Sequence, residues 1–91
     1  MFPIPVGWSV LYANPTIDTD HWERDEDLLQ LHHAALDRLV DLGWYRKEFA
    51  IFVFQGDFHG RQLAEFRTND QATALTELGA LLRKWGARSS P

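Results

Sequence analysis

Residues 48–55 read Glu48-Phe49-Ala50-Ile51-Phe52-Val53-Phe54-Gln55, the most apolar run in the chain. The run is built almost wholly of aromatic and β-branched side chains. These fit a pleated surface better than a helical turn, so it reads as a strand. Successive side chains of a strand point to opposite faces. One face carries Phe49, Ile51 and Val53, the other Ala50, Phe52 and Phe54, and neither is polar. A strand with one wet face alternates apolar with polar residues. This one therefore belongs inside a sheet covered on both sides, or it holds one face for a partner.

Downstream, Gln55-Gly56-Asp57-Phe58-His59-Gly60 has two glycines and a polar tip, which suits a hairpin connection longer than two residues. Residues 61–67 return as a strand. Its side bearing Gln62, Ala64 and Phe66 is expected toward the core, which sets Glu65 and Arg67 toward solvent or a partner. Thr68-Asn69-Asp70-Gln71 matches a capping box, with Thr68 as N-cap and Gln71 reaching back. The helix it opens runs to about Trp85, with Leu75, Leu78, Leu82 and Trp85 stepping by three and four. Arg83 and Lys84 suit its negative end, and Gly86 can end it. Residues 86–91 are expected to form a frayed tail.

Upstream, Leu28, His32, Ala35, Leu36, Leu39 and Val40 recur at helical spacing. They predict a helix from about Asp25 to Leu42. Gly43 would stop it in a left-handed conformation, with Trp44 packing back on Leu39. Six acids crowd residues 18–27, which read as a solvated loop feeding that helix. Asp18-x-Asp20 opens like a calcium loop, but Trp22 and Arg24 stand where oxygen ligands belong, so an EF-hand is rejected. Trp8–Ala13 reads as the first strand, stopped by Asn14-Pro15-Thr16. The order strand, helix, strand, strand, helix predicts one α+β domain over residues 1–91. It would be a two-layer β-α-β-β-α sandwich with a three-stranded antiparallel sheet of order 1-3-2, covered on one face by two helices. One strand edge would be left free.

Composition narrows the function. The chain has no cysteine, which removes disulfides, thiolate metal sites and Cys nucleophiles, and fits a cytoplasmic protein. Pro3 and Pro5 break the opening apolar segment, which lacks the basic residues of a secretory signal. No apolar run approaches the ~20 residues needed to span a bilayer. Net charge is −4, with residues 1–42 carrying eight acids and two bases, and residues 43–91 five acids and seven bases. That balance argues against nucleic-acid binding, whose candidates would be Arg46, Lys47, Arg61, Arg83 and Lys84.

Catalytic and metal signals are weak. His32 and His33 are adjacent, so they diverge by about 100° on a helix and cannot share a metal. His21 with Asp18 and Asp20 could make a loop site for a divalent ion, but a solvated loop is the simpler reading. Asp57 and His59 could pair as orienter and base, but no partner nucleophile is evident and turn chemistry explains an Asp there more simply. No nucleophile motif, phosphate loop or dinucleotide fingerprint is present, so no catalytic residue, metal or cofactor is expected. What remains is surplus aromatic surface. The sequence favours a non-enzymatic protein–protein interaction module that uses an aromatic sheet face or a free strand edge, self-associating as a homodimer or binding a second protein, in the manner of an inhibitor or immunity protein. The contact candidates are Trp8, Tyr12, Phe52, Phe54, Phe58, Glu65 and Arg67. The alternative is a small ligand-binding or enzymatic domain using His32, Asp57 and His59.

Overall fold

The computed structural model describes residues 2–87. Its strands are β1 (Trp8–Ala13), β2 (Leu29–His33), β3 (Arg38–Tyr45), β4 (Glu48–Gln55) and β5 (Gln62–Thr68), followed by a single helix α1 (Gln71–Trp85). The strands form one antiparallel sheet in the order β1-β2-β3-β4-β5. The expected three-stranded sheet with two helices is therefore corrected to a five-stranded meander with one helix. The first strand, the β4–β5 hairpin and the last helix stand where the sequence put them. The Asp25–Leu42 helix does not.

The reason lies in a double periodicity. Leu28, Leu36 and Leu39 fit a helical stripe, but Leu29, Leu31 and His33 also alternate, and so do Val40 and Leu42. In the structure Leu29, Leu31 and His33 are buried on β2 while Gln30 and His32 are half-buried. Ala34–Asp37 turns the chain, and Asp37 closes that turn at φ 50°. The β4 strand decides between the two readings. Apolar on both faces, it needs ladder partners on both edges. A helix over 25–42 would have taken β3 from it. Instead β3 pairs with β4 along its whole length, from Arg38 opposite Gln55 to Tyr45 opposite Glu48.

Gly43 is consequently not a helix stop. It lies mid-strand in β3, where a Cβ would run into the Glu26 carbonyl. Here the segment before β2 crosses closely, and the Trp44 amide donates to the Asp25 carbonyl at 2.8 Å. The cap of α1 also shifts. Asp70, not Thr68, is the N-cap, its carboxylate accepting from the Thr73 amide at 2.8 Å. Gln71 does not reach back but accepts from the Trp22 amide and donates to the Thr19 carbonyl, tying the acidic loop to the helix.

Register assigns the faces. Ala13, Leu29, Leu42, Ile51 and Phe66 form one transverse row, and Val10, Leu31, Val40, Val53 and Ala64 the next. Against this side lies α1, contributing Ala74, Leu78, Leu81 and Leu82 to the core. Trp22, buried on Phe49 edge to face at 5.3 Å, extends the core beyond the helix. No helix of the described residues is long and apolar enough to cross a membrane.

Candidate interaction surface

The opposite face of the sheet has no helix over it among the described residues. One row running across all five strands is Tyr12, Gln30, Asp41, Phe52 and Glu65. The next is Ser9, His32, Leu39, Phe54 and Gln62. The aromatic rings touch in sequence. Tyr45 meets Phe52 edge-on at 6.0 Å, Phe52 stacks on Phe54 at 6.2 Å, and Phe54 tilts against Phe58 at 5.6 Å. Such ring pairs add specific geometry to plain apolar burial.

Charge borders the rings on the β5 side. The Arg67 Nε donates to Glu65 Oε2 at 2.6 Å, and the guanidinium carbon sits 5.5 Å from the Phe52 ring centre. Gln62 donates to the same carboxylate at 3.2 Å. These bonds hold the Glu65 carboxyl below its usual pKa. Tyr45, Arg46, Glu48, Phe52 and Arg67 enclose a shallow hollow of about 570 Å³. An aromatic centre with a polar border is the anatomy of a protein interface, and aromatic and Arg side chains are its usual anchors.

Under this surface lies a buried carboxyl, Asp41, 3% exposed. Burial raises its pKa to about 6, against the opposing hydrogen bonds of Tyr45 and Gln30. The Tyr45 hydroxyl lies 2.9 Å from the Glu26 carbonyl and 3.3 Å from Asp41 Oδ2, and can donate to one at a time. Burial, and then the Asp41 charge, pushes its own pKa up to about 12. Gly43 makes room for the tyrosine ring. The cluster ties β3 to the loop before β2. The sequence did not mark Asp41, because a lone Asp between Val40 and Leu42 reads as the polar side of a helix.

Of the candidates chosen from sequence, Phe52, Phe54, Glu65 and Arg67 share the open face. Tyr12 lies on it at the β1 edge, 41% exposed, and Phe58 reaches it from the β4–β5 loop. Trp8 lies on the other side, buried, with its Nε1 donating to the Leu82 carbonyl at 2.9 Å. The alternative trio is not drawn together. His32 pairs with Asp37 at 3.1 Å, while Asp57 accepts from the His59 amide at 2.8 Å, which is a turn bond. His33 is buried and accepts the Leu36 amide through Nδ1, a structural role within the turn. Among the described residues no group of three or more His, Asp or Glu side chains is placed to hold a metal. Arg46 and Lys47 stand at the β3–β4 turn, at the opposite end of the strands from Arg61, so the basic residues form no single strip. Comparison with protein-family models, with curated proteins and with solved structures finds no match.

Proposed function

We propose that this protein is a non-enzymatic interaction module that docks a second protein on the open face of its sheet. The observation that carries this reading is the Tyr45–Phe52–Phe54–Phe58 ring ladder, lying on the side of the sheet opposite α1. The core cluster on the α1 side does not include these rings. Phe52 and Phe54 supply the apolar anchor, and Arg67 with Glu65 supplies directional polar contacts at its border. Phe58 is exposed at the end of the ladder and Tyr45, Phe52 and Phe54 are half-buried, so the rings offer their upper edges to a partner. The acidic loop over 18–27 offers a further surface to a basic partner.

Affinity capture tests this directly. Wild type and Phe54→Asp are immobilised and exposed to extract from the protein's own source, with nuclease added. The expected result is a protein retained by wild type and lost, by at least about tenfold in yield, on Phe54→Asp. Retention of the same proteins by both baits removes the sheet face from the reading. Retention that nuclease abolishes replaces the protein partner by nucleic acid.

A further inference from the structure

Apolar surface is not confined to the sheet face. Among the described residues six large apolar side chains are exposed, and four of them, Val6, Val10, Leu11 and Tyr12, fall within one seven-residue stretch. They lie on and just before β1, an edge of the sheet. An edge strand turns N–H and C=O groups outward and is a template for another strand. Charges, prolines, bulges or a covering element normally blunt it. The other edge is blunted in this way. β5 carries the charged pair Glu65 and Arg67, and α1 packs on it. β1 carries no charge. All nine Lys and Arg and all thirteen Asp and Glu lie beyond residue 17. β1 has one such device, a bulge between Val10 and Tyr12, but the residue left out of register there, Leu11, is apolar and 60% exposed, so it adds no charge against a second strand. The strand is also anchored in advance. Trp8 is pinned to the Leu82 carbonyl and set edge-on to His33 at 5.2 Å.

We propose that β1 pairs antiparallel with β1 of a second copy of this chain, joining two five-stranded sheets across a two-fold axis. Charge selects the occupant. Each copy carries −4, with the excess acid concentrated in residues 18–42, so self-contact there brings like charges together, whereas residues 2–17 meet their own copy with no charged side chain on either side. A two-fold contact sets the same patch against itself, which a neutral strand tolerates and a charged one does not. The charged β5 edge stops further growth, so pairing closes at two. This contact does not depend on the open face, which stays available in the dimer.

The test is the mass of the full chain by light scattering from about 1 μM to about 1 mM, for wild type, Leu11→Lys and Phe54→Asp. Amide exchange of β1 in wild type at both ends of that range accompanies it. The mass is expected to rise from near 10.5 kDa towards twice that value across the range for wild type and Phe54→Asp. Leu11→Lys is expected to dissociate at least about tenfold more readily, and β1 amides to gain protection with concentration. Wild type at 10.5 kDa throughout overturns the pairing. So do β1 amides whose exchange ignores concentration, or a dimer that survives Leu11→Lys. A dimer dissolved only by Phe54→Asp also overturns it, and moves self-association to the sheet face.

Discussion

Asp41 sets a carboxyl between Val40 and Leu42 in the most buried part of β3. Its pKa is raised from 3.8 to about 6 by burial, so the native state holds the proton more tightly than the unfolded chain. The sign follows from linkage. Its contribution to stability is fully present below pH 3.8 and is lost as pH rises through about 6. Asp41→Asn, which keeps an acceptor for Tyr45, is expected to be more stable than wild type at pH 7 by on the order of 1–2 kcal/mol. The two should converge at low pH in urea melts run across the range. A difference that widens on acidification contradicts this. Asp70, whose pKa is lowered by its bonds to Thr73, and Glu65, lowered by Arg67, act in the opposite direction but are common to both proteins. At this scale the shared side of Phe52 with Phe54, and that of Glu65 with Arg67, was legible, because strand alternation fixes which residues of one strand share a side. Trp8 was not, because its place depends on a carbonyl 74 residues away.

Elements were legible where a single period fitted. β1, β5 and α1 each formed, though a bulge in each of the β1–β2 and β4–β5 pairings moves Tyr12 and Gln62 to the face opposite the one alternation gave them. Residues 25–42 offered two, and only the unmet edge of β4 could choose between them. The β3–β4 turn was harder still. Arg46 and Lys47 adopt φ 51° and 70°, the two positive values of a type I′ hairpin, a role in which Asn and Gly are the usual signal. Two long side chains held there cost roughly 1 kcal/mol or more. Arg46→Asn with Lys47→Gly is therefore expected to raise the melting temperature by about 4–8 °C. A lowered melting temperature would show that these side chains make contacts outweighing the strain.

For the whole molecule, the sequence showed that β4 is apolar on both faces but not which face the helix takes. The fold resolves it by geometry. One helix covers Phe49, Ile51 and Val53, and the side of Phe52 and Phe54 carries its own stacked rings with no helix over it among the described residues. The acidic loop packs through Trp22 and Gln71 onto the helix side, so it adds to the core rather than shielding the open face.

The most direct test compares Val53→Asp with Phe54→Asp, neighbours on one strand that point to opposite faces, in thermal and urea melts. Val53 is fully buried beneath α1, and an unpaired carboxylate there is expected to cost more than about 4 kcal/mol, enough to unfold a domain of this size. Phe54→Asp is expected to fold cooperatively with a loss of about 1–2 kcal/mol. That pair of results establishes one core face and one face that folding does not require to be closed. Equal loss of folding in both variants would contradict it, since both faces would then be core.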